Sequence, residues 1–250
     1  MAEPKRTCAP AQGADVAQSI WERLETTRRS GRATLTHPQI AEAAVALADA
    51  EGLEAVSMRK LAERLGVATM ALYRYVDSKD ELLELMIDAV AEPETLTADL
   101  ADWRAVFREV AARQRDHALA HPWLVAAQAQ VPNALTPARN EVAERMIGAL
   151  DPLPLSGDQK MQIIRAVDAF ARGASGAEVN RRMMMERRGH GADGDVRLLL
   201  KGSMRWLLRS GRYPRMAKLV ADGLAPVDAT AEFEIGVDAM LDGLAARFGI

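Results

Sequence analysis

Residues 57–79, SMRKLAERLGVATMALYRYVDSK, constrain this chain more than any other stretch. They read as two short helices about one tight turn. In the first, Met58, Leu61, Ala62 and Leu65 fall at i, i+3, i+4 and i+7, a single apolar stripe. Ser57 precedes it, where a side-chain oxygen caps free backbone N–H groups. Gly66 ends it, because glycine takes left-handed backbone angles at little cost. Val67 points inward, and the pattern predicts a second helix over residues 69–76 with Leu72 and Val76 inward, one turn apart. Ala62 and Gly66 are the small residues expected where two such helices cross.

The outward set of the second helix is Thr69, Met70, Ala71, Tyr73, Arg74 and Tyr75. It holds no acid, one arginine, two tyrosines and small residues, which is unusual for a solvated face. Small side chains with a few long donors suit insertion into the DNA major groove. There the backbone comes close while side chains reach base edges and phosphates. A helical hairpin packed in a core explains the inner stripe, but not two tyrosines and an arginine outside it.

Three runs carry a more specific likeness: residues 61–67 (LAERLGV), 71–76 (ALYRYV) and 78–83 (SKDELL). Residues 36–90 resemble the DNA-binding domain of the TetR family of bacterial transcriptional regulators, over about a fifth of the chain. The resemblance implies an all-α fold. An N-terminal three-helix helix-turn-helix domain is joined by a connector helix to a larger helical ligand-binding and dimerisation domain. The expected organisation is a flexible basic extension over 1–35, the DNA-binding domain with its connector over 36–92, and the larger domain over 93–250. Expected DNA contacts are Arg59 and the outward set above, with Lys79 placed by the resemblance to reach a phosphate.

Charge is compatible with this. A net charge of −3 argues against a protein coated in positive charge, but an operator binder needs basic residues on one face only. Cys8 is the only cysteine, so no intrachain disulfide and no cysteine metal cluster can form. Of the four histidines, only His117 and His121 have helical ligand spacing, and Pro122 follows them at a helix end. No metal or cofactor is expected. No apolar run reaches a membrane span, and the N-terminus lacks the apolar core of a signal peptide, so a cytoplasmic protein with no membrane partner is expected.

Along the chain, residues 1–13 read as a disordered tail and 15–27 as a short helix. Arg28, Arg29 and Arg32 follow, as either a solvated linker or an arm along phosphates or in the minor groove. Thr36 and Gln39 form a capping box for a helix over 36–51, striped by Ile40, Ala43, Ala44, Leu47 and Ala48. Ser78 and Glu81 form another, opening the connector through about Val90. That helix is apolar on several sides, the pattern of one buried between two bodies. Beyond Pro93 every pattern is helical: 103–118, 133–150, a long helix capped by Ser156 and Gln159, then 196–210, 213–222 and 230–248.

The resemblance implies that residues 159–180 and 230–248 pack against their copies in a homodimer; alternatively their apolar stripes face their own core. Candidates to line a small-molecule pocket are Trp103, Phe107, Trp123, Gln128, Phe170, Met183, Met184 and Trp206, each of which also fits plain core. The implied function is a homodimeric, sequence-specific regulator, most often a repressor in this family. Its partners are an inverted-repeat operator in double-stranded DNA and an unidentified small molecule that releases it. A helical enzyme is disfavoured because no phosphate loop, GxSxG or HExxH occurs. A helical interaction module that has lost DNA binding is disfavoured by the intact basic and tyrosine set.

Overall fold

Most helix starts follow from capping side chains that the sequence supplies. The computed structural model describes residues 18–27, 35–91, 96–132, 134–192, 194–195, 197–223 and 227–250. The expectations for residues 1–13, for Arg28, Arg29 and Arg32, and for the boundary at Pro93 lie outside those residues. Helix α1 (Ile20–Thr27) is described by itself; the Ser19 backbone N–H donates to the Glu22 carboxylate at 2.9 Å, a local cap.

In α2 (His37–Glu51) the Thr36 hydroxyl accepts from Gln39 N, and Thr36 N donates back to Gln39 Oε1 at 2.9 Å, the reciprocal pair read from the sequence. Ile40, Ala44, Leu47 and Ala48 are buried on one side. A 3₁₀ turn (Leu53–Ala55) leads to α3 (Met58–Leu65), where Ser57 accepts from Lys60 N. Gly66 follows in the left-handed region, at φ 67° and ψ 29°. A Cβ there would meet nothing within 4 Å, so the residue is needed for its backbone angle and not for a close helix crossing.

The second helix of the motif, α4 (Thr69–Leu72), is shorter than the 69–76 expected. Residues 73–75 continue as a tight turn, with Tyr75 N donating to Leu72 O at 2.8 Å and Val76 N to the same carbonyl at 3.0 Å. Two features explain the shortening. Ala68 gives α4 no side-chain cap, and Ser78 must be extended, at φ −146°, to cap α5 (Lys79–Ala89). Leu72 and Val76 are fully buried all the same. The second capping box forms only in part: Ser78 accepts from Glu81 N, but the Glu81 carboxylate reaches past it to Asp77 N at 2.7 Å. Leu82, Leu83, Leu85, Met86 and Ile87 of α5 are all buried, as its sequence implies.

Among the described residues seven further helices follow: α6 (Trp103–Ala120), α7 (Trp123–Gln130), α8 (Pro137–Leu150), α9 (Gly157–Arg187), α10 (Arg197–Arg209), α11 (Pro214–Ala221) and α12 (Ala229–Phe248). No strand occurs among the described residues. Helix α8 begins four residues later than expected because Thr136 caps it and Pro137 occupies its first turn. Helices α6, α8, α9 and α12 enclose a core around Phe107, Leu150, Ile163, Val167 and Leu241. The stripes named for residues 159–180 and 230–248 lie largely in this core, with Ile163, Val167, Ala171, Phe233, Val237 and Leu241 buried. A buried ion pair ties α6 to α9, Arg115 Nε donating to Glu178 Oε2 at 2.7 Å, so neither charge is left unpaired. Among the described residues no helix is long and apolar enough to cross a membrane.

Candidate functional site

The outward face of the helix-turn-helix is built by burial of its other side. With Leu61, Ala62, Leu72 and Val76 inside, the turn must present Met70, Tyr73 and Arg74 to solvent. Met70 is 75% exposed and Tyr73 43%. Thr69 and Ala71 are half-buried on the flanks of that face. Tyr75 departs from it: its ring packs edge-on against His37 with centroids 5.5 Å apart, and its carbonyl lies 2.9 Å from His37 Nε2. Tyr75 therefore braces α2 against the turn as well as flanking the face.

Arg59 is exposed at the start of α3, Arg64 in its last turn, and Lys79 in the first turn of α5. Among the described residues none of these three, nor Arg74, forms an ion pair, so all four charges are available to an outside anion. Lys60 differs, since its Nζ donates to Glu51 Oε2 at 2.7 Å. Four unpaired cations around a small, acid-poor face can neutralise phosphates, while the side chains between them can reach base edges.

The second feature is a cavity of about 240 Å³ in the larger helical part. Its apolar wall includes Ile87 and Val90 of the connector, Val110 of α6, Leu124 of α7, Met146 of α8 and Ile164 of α9. Of the eight pocket candidates named from the sequence, Gln128 lines it. Trp103 and Phe107 are buried in the core and stack edge-on on one another. Trp123 is buried, Phe170 lies against Phe233, Met183 is half-buried, and Met184 and Trp206 are exposed. The large aromatics fill volume, and the cavity opens where medium-sized side chains of five helices fail to meet.

Sequence reasoning missed the cavity's polar wall, since its members come from different helices. The Asp168 carboxylate accepts from Gln114 Nε2 at 2.8 Å and from Arg172 Nη2 at 2.8 Å. Arg139 donates from Nη1 to the Ala134 carbonyl at 3.1 Å. Burial pulls the Arg139 guanidinium below its ordinary pKa; Arg172 adds to this and Asp168 partly offsets it.

Two carboxylates join the helix-turn-helix to the helices around the cavity. Asp88 Oδ1 of α5 accepts from Ala138 N at 2.8 Å, in the first turn of α8. Asp49 Oδ1 of α2 accepts from Trp123 Nε1 at 2.7 Å and lies 2.8 Å from His121 Nδ1, at the start of α7. Among the described residues no group of three or more His, Cys, Asp and Glu is placed to hold a metal ion.

Known families agree with both halves of this arrangement. Residues 40–86 match the profile of the bacterial regulatory proteins of the tetR family, and residues 96–248 match the tetracyclin repressor-like C-terminal domain. The chain belongs to the TetR family. It is similar to the HTH-type transcriptional repressor DrrR1 of Streptomyces coeruleorubidus, with 36% identity over 235 residues, covering 92% of this chain and 86% of that one. An HTH-type transcriptional regulator of Saccharopolyspora erythraea is 31% identical over 255 residues, with 98% of each chain covered. Among solved structures, ActR of Streptomyces coelicolor in complex with actinorhodin superposes with a TM-score of 0.72 at 25% identity, over 87% of this chain and 99% of that one. As a TetR-family protein the chain is an all-helical helix-turn-helix transcriptional regulator, and its two halves correspond to the DNA-binding and C-terminal parts of the family.

Proposed function

We propose that the protein is a homodimeric repressor that binds a short inverted repeat in duplex DNA and leaves it when a small molecule enters the 240 Å³ cavity. The observation that carries this reading is the position of α5. Its first turn holds Lys79, five residues after the exposed Met70–Arg74 stretch and in no ion pair among the described residues, and its C-terminal end puts Ile87 and Val90 into the cavity wall. One helix thus touches both sites, so a ligand that favours one packing of α5 changes the placement of the recognition turn. DrrR1, a transcriptional repressor, supports the sign of the regulation, and ActR, solved with a bound small molecule, supports the kind of signal.

Dimerisation follows from the size of the recognition element. A single short helix reads too few base pairs for operator specificity, whereas two copies on a two-fold axis read two half-sites. The surface that fits this role lies opposite the buried stripes of α9 and α12. Ala169, Gly173 and Ala177 are exposed along α9, and Ile235, Ala239 and Gly243 along α12, each set at i, i+4, i+8. Small side chains in such rows let helices of two copies approach closely and bury Ile235, now 68% exposed. Arg59, Arg74 and Lys79 then serve phosphates or base edges, while Met70 and Ala71 favour contact with thymine methyl groups and readout of DNA shape.

The test is a gel shift with the duplex upstream of the protein's own gene, together with sizing on and off DNA. Two chains per bound duplex are expected. Monomers alone under both conditions, or equal affinity for unrelated DNA of the same length, would contradict the proposal.

A further inference from the structure

The geometry points to a ligand of one chemical class: a compact, largely apolar anion whose carboxylate or similarly charged group faces the arginine wall of the cavity. This inference rests on the cavity being the ligand site, as proposed above.

The charge balance of the wall carries the argument. Arg113, Arg139, Arg165 and Arg172 line the cavity, and among the described residues Asp168 is its only lining carboxylate. Asp168 is already engaged, since Arg172 holds it through Nε at 3.0 Å and Nη2 at 2.8 Å while Gln114 donates to it. Arg113, Arg139 and Arg165 form no ion pair among the described residues. Arg139 is half-buried, and its one side-chain hydrogen bond among the described residues goes to a neutral carbonyl. A partly desolvated guanidinium in no ion pair, whose burial Asp168 offsets only in part, is costly, and an anion bound there relieves the cost. A cationic ligand would meet the opposite: four arginines and, among the described residues, no lining carboxylate outside an ion pair. Most of the rest of the wall is apolar, with Gln114, His117, Gln128 and Asn140 set into it, which favours a largely apolar body. The volume, about 240 Å³, lies below the range of roughly 300–1,000 Å³ common for drug-sized ligands, which favours a small one.

The same contact reaches the regulatory element. Arg139 directly follows Ala138, whose backbone N–H is held by Asp88 of the connector. An anion drawing on Arg139 therefore acts one residue from the bond that ties α5 to α8, and the anionic group is the part of the ligand best placed to move α5.

The experiment uses three bicyclic probes of equal body: 2-naphthoate, its methyl ester, and 2-(aminomethyl)naphthalene. Binding to the full-length protein without DNA is measured by calorimetry. The carboxylate is expected to bind at least tenfold more tightly than the ester, and the amine most weakly. Arg139→Gln is expected to reduce carboxylate affinity by about ten- to hundredfold and leave the ester unchanged. Because Arg139 also holds the Ala134 carbonyl, Arg113→Gln, which breaks no hydrogen bond among the described residues, is the second variant, and its expected loss is in the same direction. Equal binding of acid and ester, tighter binding of the amine, no binding of the acid, or unchanged acid affinity in both variants would overturn the inference. A preference for the acid without release of operator DNA would leave the charge assignment standing and refute the ligand-release reading instead.

Discussion

Replacing Asp88 with alanine should loosen the connection between the recognition turn and the cavity. Asp88 lies on α5 and its Oδ1 accepts from Ala138 N at 2.8 Å. Ala138 is buried, so the N–H has no ready substitute in water once the carboxylate is gone. Leaving a buried donor unpaired costs about 1–3 kcal/mol, and the bond is charge-assisted, which places it in the upper part of that range. In a chain of 250 residues each kcal/mol corresponds to roughly 2–4 °C in Tm, so Asp88→Ala should melt several degrees lower. The same free energy bounds the coupling that this bond can carry, on the order of a 5- to 150-fold change in operator affinity on ligand binding. Asp88→Asn retains an acceptor oxygen and should behave between the two. The assay is operator binding with and without a saturating cavity ligand, alongside thermal melting, for all three proteins. A variant that melts with the parent and releases DNA at the same ligand concentration would refute the role given to this bond. So would Asp88→Asn behaving like Asp88→Ala, since charge rather than the hydrogen bond would then be responsible.

Three further outcomes follow from particular residues. Gly236→Ala would place a Cβ 2.3 Å from Phe170 Cζ, so the α9–α12 contact must shift, at about 1–3 kcal/mol visible as a lower Tm; an unchanged Tm would show that Phe170 has room to turn. Gly66→Ala meets no steric obstacle but must hold alanine at φ 67°, so it should cost about 1–2 kcal/mol and weaken DNA binding by misplacing α4; full stability and affinity would remove the backbone argument. Lys79→Ala should weaken specific and unspecific DNA alike and reduce the slope of log affinity against log salt by about one, whereas loss of specificity without a change of slope would make Lys79 a base contact.

What could be read from the sequence was what is decided within a few residues. The Thr36–Gln39 and Ser156–Gln159 capping boxes, the Ser57 cap and the left-handed Gly66 are local devices, and each sets a boundary directly. Helix α7, WLVAAQAQ, was not foreseen because its eight residues carry no single apolar stripe; Trp123, Leu124 and Ala127 are buried only through the helices around them. The recognition face was legible because burying Leu72 and Val76 leaves Tyr73 and Arg74 outside. The cavity was not. Asp168 and Arg172 are an i, i+4 pair on α9, but Gln114 and Arg139 come from α6 and α8, and only the tertiary packing brings them to the same wall. The sequence drew attention to aromatic residues, and Trp103 and Phe107 turned out to fill the core. Asp49 and Asp88 look like ordinary polar positions on amphipathic helices. Their partners, Trp123 and Ala138, lie 74 and 50 residues away.

The claim that one helix serves both sites is tested most directly by linkage. 2-Naphthoate is titrated into the full-length protein, free and saturated with its operator duplex, and the two affinities are compared. If α5 couples cavity and DNA, the operator should weaken 2-naphthoate binding by the same factor by which 2-naphthoate weakens operator binding, roughly 5- to 150-fold. Identical affinities in the two titrations would contradict it.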